Sequence, residues 1–205
     1  MSESIIEAVS EAASFVDKFR GRWPEWVIAR VFVTADQRDA AEHWFALLQE
    51  WTDAAATAEP APGLAKLAWW QEELRGWAKG ARRHPLGAVL QKQPVDWSAI
   101  ADALPALARR DAPDLQALDQ LAGALAQAER VLFAEDRDGR GAIAAMLGDA
   151  LSLTDATSQH PSEGSRPRRL LAALRNTRNT SQQAPLSPWR TLRCSWRAAR
   201  AGLPG

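Results

Sequence analysis

The pattern in this chain that is best suited to binding a charged partner is a run of arginines near its end. Four arginines recur there every three or four residues: Arg190, Arg193, Arg197 and Arg200. Apolar side chains fall beside them, close to one helical stripe: Trp189, Leu192 and Trp196. This spacing is typical of a basic amphipathic helix, which binds an anionic membrane surface or a protein partner through its arginines and Trp196. In the alternative, the apolar stripe packs on the protein and the arginines neutralise its acidic residues.

The charges are unevenly divided along the chain. Basic and acidic residues number 25 each, yet residues 164–205 hold nine arginines and no acidic residue. The last part of the chain is therefore strongly cationic, and the rest is acidic. Neither a recognition fold nor an overall basic balance accompanies the arginines, so we expect no nucleic-acid partner.

Side chains that serve as nucleophiles or general bases show no comparable pattern. A thiol nucleophile at Cys194 would need a positioned histidine, and the sequence suggests none. His84 precedes a proline in a predicted loop, and His43 and His160 have no evident partners. The chain also has no glycine-rich phosphate loop, nucleophile elbow or H-E-x-x-H motif. We therefore predict no catalytic residue of these kinds.

The clearest helical pattern lies over residues 64–80. Its apolar residues recur on one face at helical spacing: Leu64, Leu67, Leu74 and Trp77. Glu72 and Glu73 are expected to lie away from that face. Gly80 and the R-R-H-P run at 82–85 should end the helix, since a helix seldom continues through the residue before a proline.

This segment carries a family resemblance. The W-W-Q-E-E-L run at 69–74, followed by R-H-P at 83–85, resembles the squalene/phytoene synthase family. Residues 28–55 and 147–161 are similar to further parts of that family at lower specificity. The resemblance implies an isoprenoid (terpenoid) synthase fold and the activity of a prenyl (farnesyl or geranylgeranyl) diphosphate transferase.

The family's chemistry depends on two metal clamps, in which paired aspartates hold Mg²⁺ against the diphosphate. Carboxylates at positions i and i+4 suit this role because they stack on one helix face. Aligned with the family, the first clamp falls on residues 49–57, where Thr52 and Ala56 occupy the two key positions. Only Asp53 remains, and its side chain points about 100° away around the helix axis. The first clamp is predicted to be missing.

The second clamp falls after the L-G-D-A-L-S-L-T-D run at 147–155. Here the resemblance places Gln159 at the first aspartate position and Ser158 at the arginine position, which leaves Glu163 as the acidic survivor. We therefore expect no bound metal and no other cofactor. Under the alternative of a surviving transferase, Mg²⁺ would be held by unorthodox ligands drawn from the acidic residues of both regions: Asp53, Asp149, Asp155 and Glu163.

Tryptophan is the dominant aromatic residue, with ten copies and no tyrosine. Each indole can bury roughly 150–250 Å². Four of them are candidates for an apolar cavity that holds a prenyl chain: Trp44, Trp51, Trp70 and Trp77. The alternative is that they form an ordinary core.

The overall pattern predicts an all-α, single-domain helical bundle. Alanine and leucine abound, and no run alternates with period two over strand length. Aspartates typical of helix starts lie at positions 96, 111 and 114. We predict a helical domain over 1–176, a linker over 177–187 and a basic amphipathic helix over 188–205. Without a long uncharged apolar run or a basic N-terminus, the expectation is a cytoplasmic protein, or one peripheral to the inner membrane face.

Three functions are compatible with these patterns. The first is a non-catalytic binding or assembly factor with a degenerate synthase site, which holds an isoprenoid or lipid ligand or a protein partner. The second is a prenyl-diphosphate transferase with unorthodox Mg²⁺ ligands. The third is a peripheral membrane-binding helical protein.

Overall fold

In the computed structural model, the described residues are 2–153, 163–181 and 185–201, with side chains from residue 11 onward. Within these ranges the chain forms α-helices and short 3₁₀ turns and no strand, which confirms the all-α prediction. The α-helices are α1 (Ser2–Arg22), α2 (Trp26–Ala29), α3 (Arg38–Ala56), α4 (Pro60–Ala78), α5 (Gly87–Leu90), α6 (Trp97–Ala103), α7 (Leu115–Phe133), α8 (Arg140–Ala150), α9 (Arg166–Ser181) and α10 (Pro188–Arg200). None of these helices is long and apolar enough to cross a membrane.

Helix α3 lies at the centre of the bundle. It packs against α1, α4, α5 and α8, and most of its side chains are buried because apolar residues occupy several of its faces. Around it, α6 packs against α4 and α7, α7 packs against α8, and α9 packs against α10. Helix α10 also contacts α2 and the 3₁₀ turn Arg30–Phe32.

The four tryptophans predicted as cavity candidates form core instead. All four are at most 1% exposed. Their rings stand in a series with that of Trp97, joined by the pairs Trp51–Trp70 at 6.1 Å, Trp70–Trp77 at 6.3 Å, Trp77–Trp97 at 4.9 Å and Trp44–Trp97 at 6.4 Å. Three of these pairs are edge-to-face and Trp44–Trp97 is tilted, and such contacts add to the stabilisation from burial of the indoles. Among the described residues that line the cavity presented below, none is one of these four.

The predicted linker at 177–187 also differs from the structure. Residues 177–181 continue α9, since Thr177 and Ser181 bond to backbone carbonyls one turn back and do not interrupt the helix. Leu186 is buried, and its backbone N–H donates to Glu25 at 2.7 Å. Helix α10 is therefore packed on the bundle and not loosely tethered to it.

Gly63 sets the close approach of α3 and α4. A Cβ at this position would overlap the carbonyl oxygen of Ala54 and lie 2.8 Å from the methyl carbon of Thr57. We expect Gly63→Ala to lower the free energy of unfolding by about 1–3 kcal/mol, because the two helices would have to separate. Gly21→Ala is the matched control, since a Cβ there meets nothing within 4 Å. Urea unfolding of both variants checks this, and equal midpoints would contradict it.

Candidate functional site

A cavity of about 660 Å³ opens between α1, α3, α8 and α9. Its apolar wall consists of side chains from all four helices: Phe19, Phe45, Leu48, Met146 and Leu171. Polar and charged groups also line it: Arg22, Gln49, Asp53, Asp149, Arg175 and Asn176. Its volume falls within the range of small-molecule sites, and its mixed lining suits a ligand with one apolar and one polar part.

The α3 wall contains the region where the resemblance places the first metal clamp. Gln49, Thr52, Asp53 and Ala56 all line the cavity, because spacings of three, four and seven residues share one helix face. Thr52 and Ala56, at the two key positions, therefore face the site without a carboxylate. The Thr52 hydroxyl donates instead to the carbonyl of Leu48 at 3.0 Å.

The opposite wall contains part of the second predicted region. Asp149, Ser152 and Leu153 line the cavity from the end of α8 and the turn that follows it. Asp155 lies outside the described residues, as does the Gln159 position, and Glu163 is half-buried but is not one of the lining residues.

Both acidic residues that reach the cavity are already paired with cations. Asp53 accepts Lys18 at 3.0 Å and Arg22 at 2.7 Å, and Asp149 pairs with Arg175. Across the described ranges, no group of three or more histidine, cysteine, aspartate or glutamate side chains is arranged to hold a metal ion. The arrangement offers ion-paired carboxylates to the cavity, which are poor Mg²⁺ ligands because a cation already occupies each of them.

Cationic groups are as prominent in the cavity as acidic ones. Burial lowers the pKa of the Arg175 guanidinium from its ordinary value, and the neighbouring positive charge of Arg22 lowers it further. A guanidinium remains charged at neutral pH despite such a shift, so the two arginines repel one another across the site. An anion placed between them would relieve that repulsion. The buried Oε1 atom of Gln49 also lacks a hydrogen-bond partner within the described structure.

The segment that carries the family resemblance has a structural role. Glu73 was predicted to lie away from the apolar face, but it is buried, because its carboxylate collects the donors of the following loop. Its Oε1 accepts the backbone N–H of Arg83 at 2.6 Å, that of His84 at 2.7 Å and the indole of Trp77 at 2.8 Å. Its Oε2 accepts the Arg83 guanidinium at 3.0 Å. Glu73 thus fixes the R-H-P loop to α4.

His84 packs against the aromatic residues beside this anchor. Its ring contacts Trp70 at 4.3 Å and Phe15 at 4.5 Å between centroids. Burial lowers its pKa to about 4, so the ring is neutral at neutral pH. Of the described cavity-lining residues, none lies between 69 and 85.

Several lining residues had no signal in the sequence. Arg22 and Trp23 lie at the end of α1 and directly after it, while Asn176 and Asn179 lie on α9, far along the chain. The basic run of α9 was visible as charge, but nothing in its spacing indicated that Arg175 faces a cavity. No protein-family model, curated protein or solved structure matches this chain.

Proposed function

We propose that this protein is a non-catalytic binding protein of the squalene/phytoene synthase type, which holds an amphiphilic ligand with an anionic head in its cavity. The observation that carries the proposal is the state of the α3 wall. Thr52 and Ala56 face the cavity where a metal clamp would need carboxylates, and Asp53 beside them is ion-paired. A site of this kind can bind but has little means of activating a diphosphate leaving group.

The charges and the apolar wall of the cavity support a ligand that has an anionic head and an apolar tail. Arg22 and Arg175 pair with Asp53 and Asp149, but a guanidinium has five N–H donors, so each keeps further donors for an anionic head. Phe19, Phe45 and Leu48 provide an apolar surface for a tail. An isoprenoid diphosphate or another anionic lipid has this chemistry, and binding by arginines requires no metal.

The first test is isothermal titration with farnesyl diphosphate, in Mg²⁺ and in EDTA. We expect binding with the same dissociation constant in both conditions and no product. Ala145→Trp, which fills the cavity from α8, should weaken binding at least about tenfold because the tail loses its space. Ala78→Trp, at an exposed position of α4, is the matched control and should bind as the original protein does.

The same titration decides between the alternatives. Mg²⁺-dependent heat with product formation would overturn the non-catalytic proposal and favour the transferase. The observation that supports the transferase is that Asp53 and Asp149 line the same cavity. No heat in either condition would overturn the proposal that the cavity binds this ligand. The remaining function would be that of an assembly factor, which binds a protein partner. Thr52→Asp with Ala56→Asp should add Mg²⁺ dependence, since it places carboxylates at i and i+4 on the cavity wall.

A further inference from the structure

We infer that the outer face of α10 docks on an anionic membrane surface. Both α10 tryptophans lie on the outside of the molecule, with Trp189 81% exposed and Trp196 48% exposed. The helix instead turns its small side chains inward: Thr191, Ser195 and Ala198. The tryptophan stripe therefore faces outward and does not pack on the protein, contrary to the alternative considered from the sequence. This inference is independent of any ligand in the cavity.

The arginines of α9 and α10 divide into two groups. Four of the five α9 arginines neutralise the body of the protein through ion pairs: Arg168 with Glu129, Arg169 with Glu135, Arg175 with Asp149 and Arg178 with Glu25. The fifth, Arg166, is half-buried. Those of α10 are all exposed, and in the described part of the chain none of them pairs with a carboxylate. The positive charge left for an external partner is thus concentrated on α10.

The arrangement around the α10 axis suits a helix that lies in a membrane interface. At 100° per residue, Trp189, Leu192 and Trp196 span a sector of roughly 60°. The four arginines occupy the next roughly 80°, where their charges reach lipid phosphates beside the buried indoles. Arg200 stacks on Trp196 at 4.9 Å, which joins the two sectors. Indole rings favour the membrane–water boundary because one edge is polar and the rest is apolar.

Neighbouring elements also carry exposed apolar side chains. Eight large apolar side chains are exposed in the described residues, and three of them belong to α10. Val27 and Val31 are two more, and they lie on α2 and the 3₁₀ turn that α10 contacts. Five of the eight are thus carried by three elements in mutual contact. This concentration, beside a cationic sector, favours a lipid surface over a purely electrostatic partner.

The test is cosedimentation of the full chain with vesicles of phosphatidylcholine alone and with about one-third phosphatidylserine. We expect binding to the anionic vesicles, reduced at least about tenfold between about 0.05 and 0.5 M NaCl because salt screens the arginines. Arg193→Gln with Arg197→Gln should weaken it at least about tenfold. Trp189→Ser with Trp196→Ser should weaken it to a similar extent, about tenfold, through loss of apolar burial.

Matched controls separate the α10 face from general charge and hydrophobicity. Lys79→Gln with Lys92→Gln removes two exposed cations elsewhere, and Leu115→Ser removes an exposed apolar side chain on α7. Both controls should bind vesicles as the original protein does. Failure to bind anionic vesicles at low salt, or equal loss in the controls, would overturn the inference. An α10-dependent dimer in sedimentation velocity without vesicle binding would assign the face to a second copy instead.

Discussion

Glu73→Leu should lower the free energy of unfolding by about 3–5 kcal/mol, one of the two largest losses that we expect from a single substitution in this protein. The Glu73 carboxylate is about 1% exposed and accepts two backbone N–H groups, an indole N–H and a guanidinium. Leucine satisfies none of these donors, and buried donors without partners are costly. Urea unfolding followed by circular dichroism measures the loss.

Glu72 provides the control for this prediction because it is the adjacent residue with the same side chain. It is exposed, and within the described residues it pairs with Arg75 alone, so Glu72→Leu should leave the urea midpoint nearly unchanged. Glu73→Gln should cost less than Glu73→Leu, since an amide keeps one acceptor oxygen for the loop. Equal midpoints for the Glu72 and Glu73 variants would show that the loop is held by other contacts.

The pH dependence of the Glu73 contribution has a definite sign. Burial alone would raise the pKa of this carboxyl, but the hydrogen bonds from His84, Arg83 and Trp77 outweigh it, and the pKa is lowered below 4.5. A group whose pKa is lowered by folding stabilises the protein above its unfolded pKa and loses that effect as pH falls through the folded value. The stability difference between the original protein and Glu73→Gln should therefore shrink below about pH 4.5.

Local patterns accounted for most of the helical framework. The aspartate predicted at the start of α6 does cap it, since Asp96 accepts the N–H of Ala99 at 2.9 Å. Asp114 likewise caps α7 through the N–H of Ala117 at 3.0 Å. These features depend only on residues within one turn of each other, which is the distance over which a sequence pattern is informative.

Long-range features were harder to predict because they depend on partners far apart in the chain. Glutamate is usually a surface residue. Glu73 is buried because the loop brings backbone N–H donors from ten and eleven residues later back to α4. The resemblance drew attention to Thr52 and Ala56 on α3, which line the cavity, although membership of that family stays a prediction. The α9 face of the cavity could not be anticipated, because Arg175 reaches the site only through the packing of the last two helices on the bundle.

Arg168→Met is expected to lower the free energy of unfolding by about 3–5 kcal/mol. Arg168 and Glu129 form an ion pair in which both side chains are at most 3% exposed, and Arg168 also lies over the ring of Phe45 at 5.1 Å. Methionine fills much of the same space but leaves the Glu129 charge buried without a counterion, which is costly in a medium of low dielectric constant. Thermal and urea unfolding measure the loss.

Arg168 also tests how the cavity works, because it lines the site while its guanidinium is occupied by Glu129. Arg168→Met with Glu129→Gln should recover part of the stability, since the uncompensated charge is removed. Arg140→Met, which breaks the exposed pair with Asp119, should leave the midpoint unchanged. If Arg168→Met kept full stability but lost farnesyl diphosphate binding, Arg168 would be a ligand-binding group. The other outcome is that Arg168→Met loses stability and that the double variant partly restores both stability and ligand binding. Arg168 would then be a structural part of the wall, and recognition of the anionic head would be left to Arg22 and Arg175.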